Sequence, residues 1–439
     1  FPSGQCCSPG CCAVLPASAV LQKLPHPGLP HCCLDGYPED LLHSSRGRKQ
    51  SNIRNIHQSI RVDLIRKRSR SCNEIAKELK MSNSTVEYIV DELAAIGILE
   101  KDETSFKKSV GRCPIYYRLN KNFGMVVAVD LVNSRFTVCD ACNNVLCEKT
   151  FESGGSFLMG HGYKRKDIDA IVNLVRDTIA DPRFNDLPLQ SIVVATFGKV
   201  EIETGKFTIV TSVDPSINLK QVFSDEFNVA VEVYNDIDLS AIAESECGKL
   251  KNETSNALYF CINEGCANTL FINEKIVHGA HYLSGEIGYL IEYSDFLKEY
   301  LSLNRLVTYH SIFNNAIKYS AEHGVKTSLN ENGNVGDVVS SFFAGDELCR
   351  SLVLDAARCV GRAVSGLINV LDCGTVVLSG NVLAFGEEYL SAIEKELYGH
   401  LSHSNSCKLL YSDLSDSALT GARIVACNLA VKSHLRKIQ

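Results

Sequence analysis

The 439 residues contain no run of about 18 consecutive apolar residues, which excludes a membrane-spanning helix. Basic residues are missing before Ala13, and Pro16 interrupts the apolar stretch 13–24, so the beginning of the chain is a poor secretory signal. Proline is scarce beyond residue 50, where four of eleven fall; the other seven crowd the first fifty residues and prevent both helix and sheet ladder there. No methionine precedes Met81. Residues 1–50 are therefore expected to be a dispensable leader, either disordered or translated from upstream of the natural start.

Cysteine is abundant at 19, but only Cys6, Cys7, Cys11, Cys12, Cys32 and Cys33 cluster. The other thirteen are scattered singly through apolar stretches, the usage of small buried hydrophobes in a reducing cytosol. Cys139-x-x-Cys142, followed by Cys147, has no second pair and falls in a strand-turn-strand pattern, so no metal is expected there. The net charge of −7 conceals a segregation. Residues 46–121 hold 17 Lys and Arg against nine Asp and Glu, whereas residues 122–439 hold 26 against 39. A basic module of domain size on an acidic body suits contact with a polyanion, and the length calls for two to three domains.

In that basic module, Ile53, Ile56, Ile60, Leu64 and Ile65 recur at helical spacing and predict a helix over residues 52–68. Ser71-Cys72-Asn73-Glu74 is a capping box opening a short helix to residue 79, and Ser82 or Ser84 caps a third running to residue 95. Residues 98–100 and 115–119 read as a strand and its return partner. Helix, helix, helix and hairpin over residues 51–120 make a winged helix-turn-helix. Its third helix would place Asn83, Ser84, Thr85, Glu87 and Tyr88 against base edges and flanking phosphates. The wing offers Lys107, Lys108 and Arg112, and Arg66, Lys67, Arg68 and Arg70 would meet phosphates. A protein-docking role for the same three-helix unit is the alternative.

Beyond residue 122 the pattern is of short strands at 125–131, 136–140 and 145–151, a helix at 166–180, strands at 191–196 and 229–234, and a helix at 236–248. It then begins again, with strands at 257–262, 268–272 and 275–277, a long helix at 346–371, a strand at 375–379 and a helix at 386–397. A repeated strand-strand-strand-helix-strand-helix unit predicts two like lobes, over 122–248 and 249–439, with a cleft between them. A C-terminal helix can return to the first lobe.

Tyr234-Asn235-Asp236 with Ala241-Ile242-Ala243-Glu244 resembles the N-D-x-x-x-A-A-x-A-E segment of the ROK family (repressor, open reading frame, kinase). Residues 271–280, running into Ser284-Gly285-Glu286-Ile287-Gly288, are similar to its second signature, which ends in G-E-I-G-H. Residues 368–372 and 377–381 resemble its late nucleotide-side segment. The resemblance covers about residues 51–435. It implies an α/β, two-lobed actin-like fold of the sugar-kinase and Hsp70 type with a carbohydrate in the cleft. With the winged helix in front, it points to the repressor branch, which includes xylose and N-acetylglucosamine repressors.

Under that resemblance Asp236 stands at the catalytic-base position, and Asn235, Asp236 and Glu286 supply acceptors and a donor suited to the hydroxyls of a hexose. An Asn-Asp pair at a strand end is also an ordinary turn and helix cap. Two departures count against phosphoryl transfer. The kinase D-x-G-G-T becomes Asp130-Leu131-Val132-Asn133-Ser134, without glycine, and the second phosphate loop becomes Glu264-Gly265-Cys266-Ala267-Asn268, with an added carboxylate. The family's zinc histidine falls on Tyr289 and its cysteine loop on residues 291–296, which have no cysteine. Tyr289 then either stacks on or hydrogen-bonds a sugar, or fills the space of the zinc. The expected protein is a cytoplasmic, non-enzymatic regulator. It would work as a homodimer, or dimer of dimers, on operator DNA with a sugar effector and no ATP, zinc or membrane contact. Its alternatives are an ATP-dependent sugar kinase and a ligand-free DNA-binding protein whose cleft serves only dimerisation.

Overall fold

The computed structural model describes residues 69–103, 114–152, 162–209, 213–253, 255–402 and 406–438, all within the unit Ile56–Gln439. The leader, the helix expected over 52–68 with Arg66, Lys67 and Arg68, and the wing residues Lys107, Lys108 and Arg112 lie outside them. Among the described residues no helix is long and apolar enough to cross a membrane.

The first described element is a two-residue strand, β1 (Arg70–Ser71), which the sequence pattern does not anticipate. It pairs antiparallel with a later strand and takes Arg70 out of the basic run, leaving its guanidinium 3.4 Å from the Glu78 carboxylate. Ser71 then opens α1 (Cys72–Glu78): its hydroxyl accepts the Glu74 N–H at 3.3 Å and the Glu74 carboxylate accepts the Ser71 N–H at 2.9 Å. Ser82, not Ser84, caps α2 (Asn83–Ala95), accepting the Thr85 amide at 3.2 Å. Strands β2 (Leu99–Lys101) and β3 (Tyr116–Leu119) complete a three-stranded antiparallel sheet in the order β1-β3-β2. Ile75, Val86, Ile89, Val90 and Leu93 form the core under it.

Strands β4 (Met125–Asp130), β5 (Arg135–Asp140) and β6 (Val145–Thr150) form a meander, followed by α3 (Arg165–Ile179) and β7 (Leu189–Thr196). A short hairpin, β8 (Lys199–Glu201) and β9 (Lys206–Ile209), then precedes α4 (Leu219–Phe227), β10 (Ala230–Asn235) and α5 (Asp236–Cys247). The sheet order is β10-β7-β4-β5-β6, with β10, β7 and β4 parallel. All six residues of β4 are buried because the sheet is covered on both faces. Met125, Val127 and Val129 face the cluster around Ile168 and Val175, while Val126 and Ala128 face the opposite one.

The second lobe repeats the plan. Its strands β11 (Ala257–Ile262), β12 (Cys266–Ile272) and β13 (Lys275–Ile276) are antiparallel, and a hairpin of β14 (Ile291–Ser294) and β15 (Glu299–Ser302) follows. Helices α6 (Asn304–Val307), α7 (Tyr309–His323), α8 (Asp337–Phe343) and α9 (Glu347–Leu371) lead to β16 (Thr375–Ser379), α10 (Glu387–Gly399) and β17 (Lys408–Tyr411). The order β13-β12-β11-β16-β17, with β11, β16 and β17 parallel, matches the first sheet strand for strand. The final helix α11 (Ser417–Ile438) packs on β4, β7 and α5 of the first lobe. There Gly421 lies so close to α5 that a Cβ would sit 1.9 Å from the Leu239 carbonyl oxygen, and the Ser191 hydroxyl donates to the Ala426 carbonyl at 2.7 Å.

Candidate functional site

In an open α/β sheet, ligands collect beyond the carboxyl ends of the parallel strands. Here those ends bring Asp130, Thr196 and Asn235 side by side, since Asp130 is registered with Ala195 and Asn235 with Thr196. Strand β10 passes into α5 without a loop because Asn235 is its N-cap. Its Oδ1 accepts the Ile237 N–H at 3.1 Å and its amide donates to the Gly198 carbonyl at 2.9 Å. Asp236 is thereby held in the wall of a cavity of about 550 Å³ between the lobes, which is also lined by Lys199, Glu286 and Tyr289.

The four residues expected to meet a sugar thus line one space, with different exposures. Asn235 is buried, Asp236 is 9% exposed, Glu286 is half-buried, and Tyr289 is 69% exposed at the rim. Burial, and next the Asp130 carboxylate, push the Asp236 pKa up to about 7, and burial raises that of Glu286 against the pull of Lys199. Glu286 follows Gly285, which has φ 93° and whose Cβ would lie 1.9 Å from the Asn268 carbonyl oxygen. Only glycine fits, so Gly285→Ala is expected to displace the segment bearing Glu286 and weaken ligand binding by at least tenfold. Calorimetric titration would check this, and unchanged affinity would contradict it. Glu244, from the resemblance motif, serves the fold rather than the ligand. Its buried carboxylate accepts the Lys249 N–H at 2.7 Å and the Ser412 hydroxyl.

The phosphate side is built differently from a cradle. Asp130 is fully buried, and its carboxylate accepts the N–H groups of Val132 and Asn133 at 3.0 and 3.1 Å and the Asn133 side-chain amide at 2.8 Å. Val132 and Asn133 place side chains where the D-x-G-G-T pattern has its two glycines, and Ser134 takes the left-handed turn position at φ 53°. In the second loop the Cys266 N–H donates to the Asn304 side chain at 2.7 Å. These residues do not fit a triphosphate.

The hairpin β14–β15, where the resemblance implies zinc, is held by α9 instead. Asp355, 2% exposed, accepts the Ser294 hydroxyl at 2.5 Å and the Asp295 N–H at 3.1 Å, and pairs with Arg358 at 3.1 Å. Two turns along the same face, Arg362 donates to the Tyr293 carbonyl at 2.6 Å and sits 3.4 and 3.3 Å from Glu292 and Asp295. With Glu292 and Asp295 engaged by Arg362 and no sulfur or imidazole among residues 291–302, the hairpin does not fit a zinc ion. Burial pushes the thiols of Cys139 and Cys142 up to about 11 and about 12. A larger depression of about 680 Å³ between α3 and α4 is lined by Arg165–Asp169 and Arg176–Glu226 pairs that satisfy one another.

In the amino-terminal part of the described chain, Asn83, Ser84, Glu87 and Tyr88 are exposed along the first turns of α2, Tyr88 by 64%. Thr85 is half-buried, with its hydroxyl 2.6 Å from that of Ser82. The helix itself carries Glu87, Asp91 and Glu92 and no Lys or Arg.

Sequence reasoning missed Lys199, whose side chain lines the cavity, and the capping of the β4–β5 turn by Asp130. Lys199 had a signal: it is the first charge past a buried strand, three residues on, at the carboxyl edge where ligands collect.

Two lobes of matching topology with a polar cleft between them define a fold of the sugar-kinase type. The model of the ROK family matches residues 162–428, and the chain belongs to that family. A xylose repressor of Caldicellulosiruptor bescii is 22% identical over 361 residues, covering 80% of this chain and 89% of that protein. The crystal structure of a ROK family transcriptional regulator, homolog of the E. coli MLC protein, superposes with a TM-score of 0.71 at 16% identity, over 87% of this chain and 98% of that one. The ROK hexokinase of Thermus thermophilus superposes with a TM-score of 0.55 at 19% identity, over 70% of this chain and 98% of that one. The family thus holds both kinases and repressors on this actin-like fold.

Proposed function

We propose that this chain is a sugar-responsive, DNA-binding transcriptional regulator of the ROK repressor branch, with a cleft that binds a carbohydrate and does not phosphorylate it. The observation that carries the reading is the turn after β4, where Val132 and Asn133 put side chains at the two glycine positions of D-x-G-G-T, against the close backbone approach a phosphate needs. The capped helix pair α1–α2, the sheet behind it and the basic excess around it support a winged helix-turn-helix that reads operator DNA. Family usage favours repression over activation, and a homodimer matches palindromic half-sites. A ligand that favours one closure of the lobes changes the placement of the paired DNA-binding modules, and only that differential affinity shifts occupancy of the operator.

Duplexes selected from a random library by the full-length protein supply the operator. Thr85→Ala and Arg112→Ala are then expected to weaken binding about tenfold each, the scale of one lost base or phosphate contact, without changing the melting temperature. If both bind as the wild type does, this module does not read DNA. Thermal-shift screening with monosaccharides, amino sugars and their phosphates tests the effector half, and a uniformly negative screen favours a cleft serving only dimerisation.

A second reading, the sugar kinase, is favoured by one feature. Asp236, near neutral pKa in the cavity wall, is suited to take a hydroxyl proton. ATP-dependent phosphorylation of a hexose that disappears in Asp236→Asn would establish it.

A further inference from the structure

We propose that the cleft takes a sugar acid, a uronate or aldonate, and that Lys199 selects it by pairing with the ligand's carboxylate. This rests on the reading of the cleft as a carbohydrate site and narrows the ligand to one charge class. Lys199 is the first residue of β8, directly after Phe197-Gly198 at the end of β7, and is 5% exposed. Its side chain lines the cavity, and its ammonium lies 3.5 Å from where a Cβ on Gly285 would be, beside the segment that bears Glu286.

A buried ammonium is costly unless it is paired. Among the described residues no carboxylate oxygen lies within 4.0 Å of the Lys199 ammonium, and none of its three hydrogens is donated. Among the described residues the three donors meet no acceptor, and the side chain that carries them lines the cavity. The cavity's carboxylates, Asp236 and Glu286, stand further off, where they can accept hydroxyl hydrogens of the same ligand. The site is therefore polarised: a cation at the Gly285 wall and acceptors around it.

Charge stoichiometry selects the ligand class. One ammonium balances one negative charge, as a carboxylate carries. A phosphate ester, with close to two charges at neutral pH, would leave an excess facing Asp236, Glu286 and the nearby Glu264. A protonated amino sugar would set its cation against Lys199, and a neutral hexose would leave the lysine only the more distant Asp236 and Glu286 carboxylates as counter-charge.

The test is calorimetric titration of the full-length protein at pH 7 and fixed ionic strength. The probes are glucuronate, galacturonate and gluconate, their parents glucose and galactose, glucosamine, and glucose 6-phosphate. At least one acid is expected to bind tenfold or more tightly than its parent. Lys199→Met should bring the ratio of acid to parent affinity down to about one, and Lys199→Gln guards against a folding defect of the first variant. An acid that binds no better than its parent, a gain that survives in both variants, or tightest binding of the phosphate ester would overturn the assignment while leaving a carbohydrate cleft standing. Failure of every probe to bind would overturn the cleft reading and the assignment with it.

Discussion

Replacing Asp236 by asparagine is expected to raise the melting temperature at pH 8 and to leave it nearly unchanged at pH 4. Burial and the Asp130 carboxylate hold the folded-state pKa near 7, against 3.8 for the free side chain. Between those values the folded form keeps a proton that the unfolded chain has released, so stability falls as pH rises from about 4 and levels off above about 7. At about 1.4 kcal/mol per unit, the ionised aspartate costs the native state on the order of 4 kcal/mol at pH 8, and neutral asparagine does not carry that cost. Melting curves of the two proteins from pH 4 to pH 8 should converge at the acid end and diverge by several degrees at the alkaline end. Parallel curves would show that Asp236 is not held near neutrality. A group so destabilising in its charged form is characteristic of a site kept for a ligand rather than for the fold. In the same variant the affinity for a bound sugar should fall, because the asparagine Oδ1 remains an acceptor while the second oxygen is replaced by a donor.

Asp355→Ala is expected to have an effect of similar size on stability and to confine its structural consequence to one place. The carboxylate is almost fully buried and anchors the Ser294 hydroxyl, the Asp295 N–H and Arg358. Removing it leaves the first two without an acceptor, at a cost of about 3 kcal/mol on the scale of charged hydrogen bonds. Hydrogen exchange should accelerate across residues 291–302 and remain unchanged in the first-lobe sheet. Loss of protection spread over both lobes would mean that the clamp is not local. Because α9 holds the hairpin through Asp355 and Arg362, a strong chelator should leave the wild-type melting temperature where it is. A drop of several degrees on chelation would reveal a structural metal that this donor set does not predict.

Parts of this molecule can be read without its tertiary structure because the determining interactions are local. The Ser71–Glu74 box, the Ser82 cap and the Asn235 cap each join groups no more than three residues apart, so they are visible as spacing. Buried parallel strands such as β4, β7 and β16 announce themselves as apolar runs because both faces are covered. The repetition of one unit in each half made a duplicated plan expected, and the two sheets share one strand order. The segments between β13 and α9 were not legible. Their hairpin and short helices are held by α9 from some sixty residues away, and no local pattern encodes that.

The same division runs through the site. Composition and spacing by themselves determined a basic module before an acidic body and an Asn-Asp pair opening a helix, and the family resemblance pointed to two phosphate loops that have lost glycines. Only the tertiary structure decided what those groups do. Hydrogen-bond partners and burial depend on which distant segments close around a residue. Packing of the lobes brought Lys199, Asp236 and Glu286 to one cavity from strand ends and loops far apart in the chain. Folding of the β4–β5 turn directed the Asp130 carboxylate to the Val132 and Asn133 amides of its own turn. The lack of long apolar runs excluded a membrane-spanning helix, and the scarcity of proline beyond residue 50 permitted regular structure. Which charges would be left buried and unpaired was settled by packing.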